Sequence, residues 1–337
     1  MADTSGLPDL AARSFGGSVV WANDEFFAGR ENLITPEPAA FSPRTFSAKG
    51  QVYDGWETRR RRGPGGTVRP DERDEAIVRL GSPGLVRSVV VDTAFFTGNF
   101  PTHASVDALY ADGHPSVDEL RAATWTPIVD RAPLRGDTEN VFDVSSDQRV
   151  SHVRLAIYPD GGVARLRVRG EVVADPRLVA ALGTVDLAAL ELGGRVTGCS
   201  NLHYGPPDRL IAPGLARSMG EGWETARRRD AGNDWVEVRL ATEGMVRLVE
   251  LDTSWFLGNS PGEAQVSARA DGGDWAPVVP RTPLRPDTRH RFVVSPPRAA
   301  ADVRLDVYPD GGMARMRVWG TPTDGGLAAL RRRWDGT

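Results

Sequence analysis

The sequence predicts an all-β protein made of two copies of one β-sandwich module, and two observations carry that expectation. The first is self-similarity, the most informative feature to seek in a new chain. DLAARSFGG (Asp9–Gly17) returns as DLAALELGG (Asp186–Gly194), GWETRRRR (Gly55–Arg62) as GWETARRR (Gly222–Arg229), and DTAFFTGN (Asp92–Asn99) as DTSWFLGN (Asp252–Asn259). PLRGDT (Pro133–Thr138) returns as PLRPDT (Pro283–Thr288), and YPDGGVARLRVRG (Tyr158–Gly170) as YPDGGMARMRVWG (Tyr308–Gly320). The second observation is a period of two. Val153, Leu155 and Ile157 share one face against Arg154 and Tyr158, and Ala164, Leu166 and Val168 alternate with Arg165, Arg167 and Arg169. Val236, Val238 and Leu240 alternate in the same way, so such strands are expected to have one buried and one wet face.

The order of the repeated segments sets the domain organisation. The spacing between copies falls from 177 residues at Asp9/Asp186 to 150 at Tyr158/Tyr308, so the second copy is expected to have shorter loops and the same strands. The units are read as residues 7–170 and 185–320, each of domain size. Residues 171–184 form a linker, with a short helix expected after Pro176, and residues 321–337 form a tail in which LAALRRRW (Leu327–Trp334) reads as a short basic helix. Asp160-Gly161 and Asp310-Gly311, set between alternating runs, signal hairpins. Many short strands separated by Gly, Pro and Asp turns point to a sandwich or jelly roll and away from a parallel α/β sheet.

Composition narrows the function classes. A net charge of −4 provides no basic footprint for nucleic acid and no polybasic membrane patch. Cys199 is the single cysteine, so no intrachain disulfide framework exists and nothing calls for an oxidising compartment. Residues 1–18 lack the basic start and apolar core of a signal peptide, and a cytoplasmic location is expected. The five histidines (103, 114, 152, 203 and 290) show no zinc-like spacing, so no metal ligands are assigned. Mn or Mg held by carboxylates would leave little trace in a sequence, and no cofactor is firmly implied. Trp255, Trp275 and Trp319 are expected to be exposed, which favours a homo-oligomer.

Three constellations could carry chemistry. In the duplicated GWET segments, Glu57 and Glu224 are the candidate proton-transfer carboxylates, while Trp56 and Trp223 read as core anchors. Arg60, Arg61, Arg227 and Arg228 could offer planar forks to a carboxylate or to urea-like carbonyls; the alternative is that they pair with nearby acids and hold the loop. Asp92-Thr93 and Asp252-Thr253 read as turn chemistry, whereas the amides of Asn99 and Asn259 could serve either a turn or a ligand. The third constellation breaks the symmetry: Asp24, Glu25, Phe26 and Phe27 in the first copy stand opposite Asn201, Leu202, His203 and Tyr204 in the second. Asp24, Glu25 and His203 are therefore further proton-transfer candidates, with Tyr204 a binding candidate; His203 could equally be an ordinary loop residue. Gly63–Gly66 has no phosphate-loop context and reads as a loop peculiar to the first copy.

The GWET-x-RR, DT-x3-GN and YPDGG-x-AR-x-RV-x-G motifs, with the openings NDEFFAGRENLI (Asn23–Ile34) and SNLHYGPPDRLI (Ser200–Ile211), resemble the allantoicase family in the family's order. The resemblance spans about Leu7 to Gly320. It implies two jelly-roll domains of the galactose-binding-like type and hydrolysis of allantoate to ureidoglycolate and urea in purine breakdown. Allantoate carries one carboxylate and two ureido groups on one carbon, a substrate that the arginines, amides and carboxylates would suit. The competing readings are a non-catalytic tandem module binding carbohydrate or another small ligand, and a catalytically dead scaffold, since a sandwich fold alone does not imply an enzyme.

Overall fold

A computed structural model describes residues 6–337; the first five residues, part of the stretch read above for a signal peptide, lie outside the described residues. The chain divides into two compact units, one ending at Val172 and the other spanning Val173–Gly336. Both are built almost entirely of antiparallel strands, as the two-residue periodicity requires.

In the first unit the organising element is the long strand Asp74–Asp92. Its first half pairs with Arg149–Tyr158 (Asp74 opposite Ile157, Arg79 opposite His152) and with Ser18–Ala22. Its second half pairs with Arg165–Val172 (Asp92 opposite Arg165) and with Glu139–Asp143. One strand thus enters both layers of a sandwich-like, jelly-roll-like body. His103–Leu109 and Thr126–Pro133 extend the first layer. The inward rows are those read from the alternation: Val153, Leu155, Ile157, Leu166 and Val168 are all fully buried. Each large aliphatic side chain contributes about 1.5–3 kcal/mol by leaving water.

The second unit repeats this plan around Asp234–Asp252, with Arg289–Tyr308 running as one strand where the first unit has two. The length difference lies between the shared core strands, and contrary to expectation the second copy lacks a short hairpin, Phe46–Ser47 with Gly50–Gln51, as well as loop. The offset between copies is 177 at Ile34/Ile211, 167 at Gly55/Gly222, 160 at Asp74/Asp234 and 150 at the paired strand starts Thr126/Ala276. The first unit therefore has longer segments at residues 35–54, 62–74 and 109–125. The last of these holds the helix Val117–Ala122, closed by a Ser116–Glu119 capping box.

The linker contains the helix Pro176–Leu182, capped by Asp175, and the tail forms the helix Asp324–Asp335, capped by Thr323. The tail helix packs on Asp234–Asp252 through buried Leu330, so it covers the second unit. No described helix is long and apolar enough to cross a membrane.

Two expectations need correction. The outward rows are not all wet: Arg165, Arg315 and Arg317 are buried, as is Tyr158. Alternation identifies the face of a strand, but a loop can still fold over the outward face. Arg165 is enclosed in this way by residues 37–54, with Nε donating to the Glu37 carbonyl and Nη2 pairing with Asp54 at 2.7 Å. Trp255 and Trp319 are exposed, but Trp275 is only partly so, because the Arg269 guanidinium lies 4.4 Å from its ring centre.

His152 is buried on the Arg149–Tyr158 strand, with Nδ1 2.9 Å from the Ser151 hydroxyl. Burial and the nearby Arg79 charge push its pKa down to about 4. Its folded-state pKa thus lies below the unfolded value of about 6.5. The unfolded chain gains a proton as pH falls through about 6.5, whereas the folded chain does not until near 4, so stability is lost across that window. The loss amounts to about 3 kcal/mol. Urea unfolding at neutral and at mildly acidic pH should show His152→Gln losing about 2–3 kcal/mol less than the parent across the window; equal losses would contradict this account.

Candidate active site

Three of the repeated motifs meet in one place. Trp56-Glu57 forms a two-residue strand against Gly162-Val163, with Glu57 opposite Gly162. Thr58 N–H donates to the Gly161 carbonyl and the Thr58 hydroxyl accepts from Gly161 N–H. Gly162 N–H donates to the Asn99 carbonyl at 2.7 Å, and Arg61 N–H donates to Asp160 Oδ2 at 2.6 Å. Glycine is required at 161 by its φ of 139° and at 162 because a Cβ would collide with the Phe96 ring. The Asn99 amide then reaches across and donates to Glu57 Oε1 at 2.8 Å. The sequence repeats these segments because they form one interlocked unit.

Glu57 sits half-buried at the wall of a cavity of about 850 Å³, which is within the size range of small-molecule sites. Burial pushes its carboxyl above the ordinary range, opposed by the Asn99 hydrogen bond and by the Arg60 charge. Asp160 also lines the cavity and is likewise raised, chiefly by burial. Arg60 is exposed on the wall and makes no hydrogen bond or salt bridge with any described residue. Arg61 differs: Nε and Nη2 donate to buried Asp74 at 2.9 and 2.6 Å, so its fork is already engaged.

The opposite wall comes from the long segment 35–54 of the first unit. Its hairpin, Phe46–Ser47 against Gly50–Gln51, brings Lys49, Gln51 and Tyr53 to the cavity. Lys49 Nζ donates to the Phe26 carbonyl at 2.7 Å, and Tyr53 stacks on Phe96 with ring centres 4.9 Å apart. The sequence marks none of these three as a site residue, and it marks Asp160 only as part of a hairpin. The available signal was the loop-length difference between copies, since a segment present in only one of two duplicates is where new function is added.

The second unit repeats the knot: Glu224 lies opposite Gly312, Asn259 Nδ2 donates to Glu224 Oε1 at 2.6 Å, and Arg228 pairs with buried Asp234 at 2.7 Å. Arg227, like Arg60, is exposed and makes no hydrogen bond or salt bridge with a described residue.

The asymmetric candidates fall elsewhere. Asp24 is not a cavity residue; it accepts from Phe26 N–H and Arg59 N–H and pairs with Arg59 Nε at 2.6 Å. Despite opposition from burial, these bonds hold its carboxyl below the ordinary range. Asn201 does the same work in the second unit, accepting from His203 N–H and Ala226 N–H. The backbone carbonyls of Asp24 and Asn201 also receive the buried Trp56 and Trp223 indoles. Asp24 with Arg59 has thus been exchanged for neutral Asn201 with Ala226, which accounts for that part of the asymmetry. Glu25 is exposed and accepts from Arg30 N–H; His203 is exposed with its ring edge-on to Tyr204. Among the described residues, no group of three or more His, Cys, Asp or Glu side chains is placed to share a metal ion.

A family model for the allantoicase repeat matches residues 8–173 and again 185–323. The chain belongs to the allantoicase family. It is 57% identical to a probable allantoicase of Nocardia farcinica over 316 residues, covering 93% of this chain and 94% of that one. An allantoicase of Dictyostelium discoideum is 38% identical over 324 residues, 92% of this chain and 86% of the relative. Among solved structures, the allantoicase of Saccharomyces cerevisiae superposes with a TM-score of 0.78 at 32% identity, covering 93% of this chain and 92% of the yeast one. This allantoicase-family chain keeps both copies of the GWET knot, but only the first copy surrounds it with the longer 35–54 and 62–74 segments.

Proposed function

We propose that the first unit's cavity is where this hydrolase converts allantoate and water to ureidoglycolate and urea, with Glu57 handling the proton. The observation that carries the reading is the position of Glu57. It is a half-buried carboxyl with a raised pKa, oriented by Asn99 and set beside Arg60, which makes no hydrogen bond or salt bridge with any described residue. Arg60 holds the substrate carboxylate, and Asn99 and the hairpin residues face the ureido groups. Protonated Glu57 gives its proton to the nitrogen of one ureido group as the carbon–nitrogen bond breaks, releasing urea. The nitrogen that stays on the carbon shares its lone pair and forms a carbon–nitrogen double bond. The Glu57 carboxylate then takes a proton from water as the oxygen adds to that carbon. The product is ureidoglycolate and Glu57 is protonated again, so one side chain serves both half-steps.

In the same reading each unit is a galactose-binding-like jelly roll, with domains at residues 7–170 and 185–320. The protein acts in the cytoplasm as a homo-oligomer, supported by exposed Trp255 and Trp319.

Purified protein incubated with allantoate should release urea and ureidoglycolate in equal amounts; no urea, with or without added Mn or Mg, would overturn the reading in favour of a binding module. Arg60→Ala should raise KM for allantoate about 10- to 100-fold, the loss of a charged hydrogen-bond pair. The sign of its pH effect also follows. Removing the cation that stabilises the Glu57 carboxylate raises the Glu57 pKa further, so the alkaline limb of kcat/KM should move to higher pH. An unchanged limb and KM would place Arg60 outside the site.

A further inference from the structure

We propose that the second unit carries a second, open binding site for small carboxylates bearing a ureido group, built on Glu224, Arg227 and Asn259, which binds without cleaving. This rests on the first-unit reading for its ligand class.

Outside the loops that differ in length, thirteen positions line the first cavity, and nine carry the same residue in the second unit. Several of these matches are demanded by the fold. Thr225 and Gly311 close the hairpin through reciprocal hydrogen bonds, and Arg228 neutralises buried Asp234. Arg227 has no such duty. It is exposed and forms no hydrogen bond or salt bridge with a described residue, so folding does not account for an arginine at both equivalent positions. Glu224 and Asn259 keep the carboxylate–amide pair at 2.6 Å. The Asn259 amide also lies 3.3 Å from the Met219 sulfur. A thioether is a weak acceptor, and a ureido carbonyl would replace it with a stronger one. Tyr204, whose N–H donates to the Glu224 carbonyl at 3.2 Å, is largely exposed and stands at the position equivalent to Phe27 of the first cavity.

What the second unit lacks is the hairpin wall. Only nine residues lie between Ala212 and Gly222, where nineteen lie between Thr35 and Gly55 in the first unit. The shorter segment leaves the second unit with no counterpart of the hairpin that carries Lys49 and brings in Tyr53. A ligand can bind there, but the wall that encloses it for bond cleavage in the first unit is missing.

The test uses N-carbamoylglycine, a carboxylate with one ureido group and no second nitrogen on its carbon to expel. Calorimetric titration of the full chain should give two molecules per chain. Arg227→Ala should weaken one of them at least about tenfold and leave the other; Arg60→Ala should do the reverse. A single site per chain that is lost with Arg60→Ala, two sites insensitive to Arg227→Ala, or no binding at millimolar concentration would overturn the proposal. A single site lost only with Arg227→Ala would overturn the first-unit reading and leave the Arg227 site standing. Urea release from allantoate, measured on the same variants, reports the first site independently.

Discussion

Glu57→Gln should lower kcat for urea release from allantoate about 10²- to 10⁴-fold, the usual contribution of a positioned acid–base group. The substitution is nearly isosteric, and its carbonyl can still accept from the Asn99 amide as Glu57 Oε1 does at 2.8 Å. The knot should therefore hold, and urea unfolding should be within about 0.5 kcal/mol of the parent. KM should change little, because the substrate carboxylate is held by Arg60 and not by Glu57. A comparable fall in stability, or a rise in KM with kcat intact, would show that Glu57 holds the fold or the ligand and does not move a proton.

Arg165→Met should have the largest effect outside the cavity. Arg165 is buried, pairs with Asp54, and donates to the carbonyls of Glu37, Asp54 and Ala164. Methionine fills much of the same space but donates nothing: the Asp54 carboxylate keeps only the Ala40 N–H and the Glu37 carbonyl only Arg167 Nη2. Because Asp54 is 31% exposed and can be rehydrated, the loss is that of the buried hydrogen bonds, about 1–3 kcal/mol. The loss should fall on residues 37–54, the segment that brings Lys49, Gln51 and Tyr53 to the cavity. KM should rise about tenfold or more alongside the loss of stability, although Arg165 itself does not line the cavity. A variant that loses less than about 1 kcal/mol and keeps its KM would show that the segment is held by other contacts.

These two variants also mark what the sequence could and could not disclose. The strands and the duplication were legible because a half-buried strand must alternate and because a knot of three segments repeats all of them or none. Glu57 and Glu224 were legible for the same reason. The burial of Arg165 and Arg315 was not, since alternation says nothing about a loop folding over the outward face. Arg60 could not be separated from Arg61 by composition, because the distinction lies in Asp74, remote from the arginine run and aligned with it only by folding. Lys49, Gln51 and Tyr53 have no duplicate to draw attention to them, and Asp160 reads in the sequence only as a hairpin residue. The contrast between Asp24-Glu25 and His203-Tyr204 looked chemical in the sequence. In the fold Asp24 and Asn201 serve one backbone role, with the Arg59-to-Ala226 change balancing the charge.

The placement of the reaction in the first unit is tested most directly by one comparison, the rate of urea release from allantoate by Glu57→Gln and by Glu224→Gln under identical conditions. The account predicts that Glu57→Gln falls at least about a hundredfold while Glu224→Gln stays within about threefold of the parent. A collapse confined to Glu224→Gln, or an equal collapse in both, would contradict it.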